Sequence, residues 1–137
     1  RTGIMLGPMI PGLNDSELES IMARAAELGA TYSAYTILRL PQEVSPLFRE
    51  WLETFAPNRA RRIMHHIRTM NNGKDYDPAW SRVTESRTPF TKLIEQRYRL
   101  SQKQTGIIRR EDHKPLRCDL FRVPTRIHGQ GDLFFKN

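Results

Sequence analysis

The stretch from Thr2 to Ile10 constrains this chain most, because almost every side chain in Thr2-Gly-Ile-Met-Leu-Gly-Pro-Met-Ile10 is apolar or small and the run halts at Pro11-Gly12. An unbroken apolar run of that length predicts a strand covered on both faces, as in a parallel sheet. Pro11 fixes φ and Gly12 accepts the positive φ of a sharp turn, so Met9 to Gly12 are expected at the carboxyl end of that strand. Asn14-Asp-Ser-Glu17 then reads as a helix N-cap with an acid three positions on, ahead of Leu18, Ile21, Met22, Ala25 and Leu28 at helical spacing and a stop at Gly29.

Thr31 to Leu40 alternates in the manner of a second strand. Tyr32, Ala34, Thr36, Leu38 and Leu40 fall on one face, and Ser33, Tyr35, Ile37 and Arg39 on the other. A crossover of this length joins parallel strands. The turns after Ile10 and after Arg39 are therefore expected side by side at one sheet edge, the edge at which α/β folds bind ligands. Two parallel strands make no stable sheet alone. Because the chain also opens on Arg1 with no cap or leader, the expectation is a segment cut from a longer protein, with earlier strands completing the sheet.

Beyond Pro41 the pattern becomes helical. Ser45-Pro46 reads as a cap with Pro at the first helical position, and Leu47, Phe48, Trp51, Leu52 and Phe55 form a bulky stripe expected to pack on the sheet as a core helix. Pro57-Asn58 recaps the chain for a third helix, with Ala60, Ile63, Met64 and Ile67 inward and an end near Asn71-Asn-Gly73. Its other face carries Arg59, Arg61, Arg62, His65, His66 and Arg68, which reads either as a solvated face or as a set of phosphate contacts. His65 and His66 point about 100° apart on a helix and do not chelate together, so no metal site is expected. Gly73 to Pro89 reads as a polar loop with Trp80 and Arg82. Thr88-Pro89 then caps a last helix carrying Phe90, Leu93, Ile94 and Tyr98 and ending at Gly106. From Ile107 onward no period is visible, and Arg109, Arg110, Lys114 and Arg117 make a basic tail expected to be flexible. The expected organisation is thus a strand-helix-strand unit over 1–42, a helical region over 43–106 and the tail over 107–137.

A length of 137 residues suits one domain, and no apolar run is long enough to span a membrane. The net charge of +7, from 22 Lys and Arg against 15 Asp and Glu, points weakly to a polyanionic partner. Cys118 is the only cysteine. One thiol builds neither an internal disulfide nor a thiolate metal site within this chain, and a cytoplasmic location fits.

Four blocks in order then carry a resemblance. They are Gly7-Pro-Met-Ile-Pro-Gly-Leu-Asn-Asp15, Leu38-Arg-Leu-Pro41, Pro46-Leu-Phe-Arg-Glu-Trp-Leu52 and Asn72-Gly-Lys-Asp-Tyr76. From about Arg1 to Gly106 the chain resembles the C-terminal half of radical S-adenosylmethionine proteins of the spore photoproduct lyase-like group, often labelled DNA repair photolyases. The resemblance implies a partial (β/α)6 barrel of the TIM type followed by C-terminal helices, with the last two strands at Thr2 to Met9 and Thr31 to Leu40. It implies a 4Fe-4S cluster held by a CxxxCxxC loop and completed by S-adenosylmethionine, and this chain has no such loop, so the ligands are expected upstream. It also implies lyase-like chemistry in which S-adenosylmethionine is cleaved reductively to a 5′-deoxyadenosyl radical, with nucleic acid as the candidate substrate. No residue here is assigned as donor or relay for that radical.

What matches inside the chain is the family's GxIxGxxE motif, whose Ile and backbone border the adenine. Here it reads Pro8-Met-Ile-Pro-Gly-Leu-Asn-Asp15, with Ile10 and Gly12 matched, Pro8 in place of the first Gly and Asp15 in place of Glu. Met9, Ile10, Pro11 and Gly12 are therefore the candidate cofactor-binding residues. Arg39 joins them as a group for a carboxylate or phosphate near the same mouth, or else as a salt bridge fixing the Pro41 turn. The segment Gly73 to Pro89 departs from the family, which tends to be Gly-rich near Glu85 to Thr88. The tail resembles something of another class: Gln130, Leu133 and Phe134 are spaced as in the short peptides by which bacterial DNA-processing proteins bind the sliding clamp. The alternative reading is thus a non-enzymatic basic module that binds nucleic acid, or a sliding clamp through its tail.

Overall fold

The computed structural model describes residues 2–78, 88–112, 114 and 118–122. Strand β1 (Gly3–Met9) and strand β2 (Tyr32–Ile37) pair in parallel from Gly3 opposite Tyr32 to Met9 opposite Ile37, joined through helix α1 (Leu18–Glu27). The register shifts between Leu6 and Met9, where Pro8 has no N–H to give the ladder. Helices α2 (Val44–Phe55), α3 (Pro57–Met70) and α4 (Pro89–Thr105) follow, and a short strand β3 (Ile108–Arg109) then pairs in parallel with β2. The sheet order is β1-β2-β3. The third strand comes from after the helices, and residues Ile107 to Arg109 belong to the fold although the sequence pattern assigns them to the tail. Two residues are too few to show a period.

The sheet is covered on one face. Leu6 and Met9 of β1 pack with Leu18, Met22 and Ala25 of α1, with Ile94 and Tyr98 of α4, and with Ile107. Arg97 clamps the two helices together, its Nε donating to Glu19 Oε1 at 2.6 Å and its Nη2 to Glu19 Oε2 at 2.5 Å. That paired geometry is the strong form of an ion pair, and it holds the Glu19 carboxyl below its ordinary range. On the opposite face Met5 is 53% exposed, and Gly7 and Thr36 are also open. The expectation of a strand buried on both sides therefore fails for β1. Its glycines instead make room for β2: a Cβ on Gly3 would lie 2.2 Å from the Tyr32 ring, and one on Gly7 would lie 2.4 Å from Thr36 Oγ1.

A second core closes the carboxyl end of the sheet. Ile37 and Leu40 pack there against Leu52, Ala56, Ile63, Met64, Ile67 and Met70, so the α2–α3 pair sits over the ends of β1 and β2. The inward face of α3 is as its spacing predicts. Helix α4 begins and ends as expected, with a Thr88–Thr91 capping box and Gly106 at φ +73° after its last turn. Several outer positions differ: Ile21, Leu28 and Leu93 are exposed. The larger difference is α2, where only Leu52 is buried while Leu47 is 64%, Trp51 42% and Phe55 69% exposed. The helix docks by one edge of its stripe, because Leu52 alone turns fully toward α3. Among the described residues, no helix is long and apolar enough to cross a membrane.

Candidate functional site

The turn after β1 is built from its own side chains. Ile10 N–H donates to Asn14 Oδ1 at 2.7 Å, Asn14 Nδ2 donates to the Pro8 carbonyl at 3.0 Å, and Gly12 N–H donates to Asp15 Oδ1 at 2.7 Å. Asn14 and Asp15 thus pin the strand end instead of capping a helix, and a 3-10 turn (Asp15–Glu17) precedes α1 without a side-chain cap. Short Asx side chains serve either purpose equally well. Gly12 adopts φ +72°, as the Pro-Gly pair predicts.

The strand ends do lie side by side, since Leu38 N–H donates to the Met9 carbonyl at 3.0 Å. The candidate residues differ in what they present there. Met9 and Pro11 are buried, Met9 among the residues of the covered face. Ile10 is half-buried against the second core, and Gly12 is half-buried beside α3, with Arg62 Nη2 3.7 Å from where a Cβ would stand. Ile10 and Gly12 therefore remain accessible in part, whereas Met9 and Pro11 support them from behind.

Arg39 lies two residues beyond the end of β2 and is exposed. Leu40, which alternation placed opposite Ile37, joins it in the same core, so the strand pattern breaks after Ile37. Arg39 Nη2 donates to the Tyr76 hydroxyl at 2.8 Å and its guanidinium lies 5.4 Å from the Tyr76 ring centroid, so a tyrosine takes the place expected of a carboxylate.

Next to it is a cluster that sequence spacing did not disclose. Asp75 accepts from Ser45 Oγ at 2.5 Å, from Arg49 Nε at 2.9 Å and Arg49 Nη2, and from Arg68 Nε at 2.9 Å. Burial raises the pKa of this carboxyl, but the donors from Ser45, Arg49 and Arg68 outweigh it and hold the group at about 2. Ser45 is spent here and does not cap α2, which begins at Val44 with no side-chain cap. A cavity of about 490 Å³ opens beside the cluster, lined by Leu40, Gln42, Ser45, Arg49 and Tyr76 among others. A second, of about 330 Å³, lies between α2 and α3 and is lined by Arg49, Arg61 and Arg68 among others. The one local signal was the i, i+4 spacing of Ser45 and Arg49; Asp75 is brought in from a distant loop.

Other expectations fall elsewhere. His66 stacks near Phe90, ring centroids 6.1 Å apart, and no group of three His, Cys, Asp or Glu fit for a metal occurs among the described residues. Trp80 and Arg82, and the tail residues Gln130, Leu133 and Phe134, lie outside the described residues. The sheet, the pinned turn and the arginine cluster are the features available for comparison with known proteins, and no family model, curated protein or solved structure matches the chain.

Proposed function

We propose that this chain forms one side of the S-adenosylmethionine pocket in a radical S-adenosylmethionine enzyme of the spore photoproduct lyase-like group. The observation that carries the reading is the way the sheet is wound. Its strands are all parallel in the order β1-β2-β3, α1 and α4 lie on the same face of β1, and the opposite face is open. A sheet that keeps stepping in one direction with its helices on one side is the winding of a (β/α) barrel, and it is shared by each half of a doubly wound sheet up to the point where the strand order reverses. In this reading the open face, with Gly3, Gly7, Ala34 and Thr36, would be the barrel interior.

In this reading Ile10 supplies an apolar edge for the adenine, Gly12 gives the turn its positive φ, and Asn14 and Asp15 hold the turn in place. The fit is in shape more than in polarity: the Ile10 and Gly12 N–H groups are already engaged by Asn14 and Asp15. Two cations stand against that turn: Arg62 beside Gly12, and Arg97, whose Nη1 lies 3.7 Å from Asp15 Oδ2. The cluster's ligands lie outside this chain, whose single cysteine is Cys118. When bound, cluster and S-adenosylmethionine would supply the radical chemistry, and the residues here would bind and orient. The test is anaerobic expression of the gene encoding this chain, reconstitution with iron and sulfide, and assay for 5′-deoxyadenosine with S-adenosylmethionine and dithionite. The reading expects product, reduced at least tenfold by Ile10→Glu. Absence of both cluster and cleavage sinks it.

A second reading draws on the arginines. Arg49, Arg61 and Arg68 line two cavities that share Arg49, one of them bordered by Tyr76 and Asp75 and the other by Glu53, which suits a phosphodiester backbone on a non-enzymatic module. Retention of a short oligonucleotide that weakens with salt and with Arg61→Glu supports it. Oligonucleotide binding unaffected by that change removes it. The tail reading rests on peptides spanning Arg126 to Asn137, expected to bind sliding clamp at micromolar affinity.

A further inference from the structure

Helix α2 leaves most of its apolar side uncovered. Val44, Leu47, Trp51 and Phe55 are 44%, 64%, 42% and 69% exposed, and the three aromatic rings form a ladder, Phe48 to Trp51 at 6.0 Å and Trp51 to Phe55 at 5.6 Å. Isolated exposed apolar side chains are ordinary, but four on one helix stripe over three turns make a continuous patch of the kind that marks an interaction surface. The stripe also has a charged border. At about 100° per residue, Glu43 and Glu50 stand almost in line along the side next to Leu47, about two turns apart, and both are exposed. The cation of this helix, Arg49, points the other way and is engaged by Asp75.

We propose that the exposed stripe of α2 is a docking surface for an amphipathic helix whose apolar face is flanked by Lys or Arg. The apolar side chains provide the contact, as helix-on-helix packing through residues spaced i, i+3, i+7 and i+11, and the acidic border fixes which flank the partner must carry. The inference is independent of the cofactor reading. It also runs against the net charge of +7, which by itself repels a basic ligand and attracts an acidic one. That opposition makes the test sharp.

The probes are two fluorescent 18-residue helical peptides with the same leucine face, one with lysine on its polar side and one with glutamate, titrated into the full 137-residue chain at low salt. The lysine peptide should bind about tenfold more tightly than the glutamate peptide, as expected when two surface charge pairs attract in one complex and repel in the other. Leu47→Ser with Phe55→Ser should abolish binding, and both positions are exposed enough for the fold to tolerate the change. Glu43→Lys with Glu50→Lys should reverse the preference. Equal binding of the two peptides, tighter binding of the glutamate peptide, or binding unchanged by the serine pair each overturns the proposal. So does self-association of the chain that the serine pair eliminates, since the occupant would then be a second copy.

Discussion

Replacing Asp75 by Asn removes one charge and keeps the shape, so it isolates what the carboxylate contributes to tying α2, α3 and the following loop together. The carboxyl falls from an ordinary 3.8 to about 2 in the fold, which corresponds to a ceiling of about 2.4 kcal/mol in favour of the folded state at neutral pH. The donors are partly solvated, with the Arg49 and Arg68 side chains 40% and 44% exposed, and screening lowers that figure to about 1–2 kcal/mol. Because the folded-state value is depressed, the contribution is complete above the unfolded pKa and is lost as pH falls through the folded one. About half should remain near pH 3 and little below pH 2. Urea unfolding of both proteins from pH 7 down to the lowest pH at which the native baseline persists measures it. The difference in stability between them should be flat above about pH 5 and shrink below pH 4. A difference that does not change between pH 6 and pH 3, or one under about 0.3 kcal/mol throughout, would show that the four hydrogen bonds merely accompany the fold.

Further outcomes follow from the same packing. Leu52→Ala, at a fully buried position, should cost about 2–4 kcal/mol, whereas Phe55→Ser one turn on should shift stability by less than about 1 kcal/mol; equal costs would mean that the stripe is covered in solution. Tyr98→Phe removes the 2.8 Å bond to the buried Ser33 Oγ and leaves that hydroxyl stranded, at a cost of about 1–2 kcal/mol by thermal or urea unfolding, with Ser33→Ala in the same background recovering part of it. Ile63→Ala, beneath the Gly12 turn, should cost about 2–5 kcal/mol and no less than Leu52→Ala, since both lie in the core that closes the sheet end.

Local rules were legible where one element decides the outcome by itself. The Pro11-Gly12 turn, the inward face of α3 around Ile63 and Ile67, and the Thr88 and Gly106 caps of α4 all depend on neighbours in sequence, and they stand where their spacing puts them. Features that needed a distant partner were not legible. Periodicity detects the α2 stripe but says nothing of what lies opposite, so a helix that docks through Leu52 alone looks the same as a fully buried one. Asn14 and Asp15 carry the residue types of a cap and reach backward to the strand end, a choice made by the Pro8 carbonyl and the Gly12 N–H, not by the helix. Asp75 is reached from residues 26 and 30 positions earlier, beyond any local pattern.

The coverage of the candidate turn also limits how anything approaches it. Ile10 and Leu13 pack into the core formed with α3, and Arg62 and Ile63 stand against Gly12, so the side of the turn that faces the helices is filled. The sheet face bearing Leu6 and Met9 is filled as well, by α1 and α4. What stays open is the face that carries Met5, Gly7 and Thr36, and a ring that reaches Ile10 has to come across it. Small side chains at Gly7 and Thr36 are then a requirement of access as well as of strand packing. Gly7 has to remain small for Thr36 in any case, since a Cβ there would meet the hydroxyl at 2.4 Å. Thr36, one residue before the last of β2, lies over Gly7 and is itself exposed. Enlarging it to Trp should leave the fold within about 1 kcal/mol of its stability and block whatever uses the turn, which separates a site on the open face from one that only Arg39 and its neighbours form.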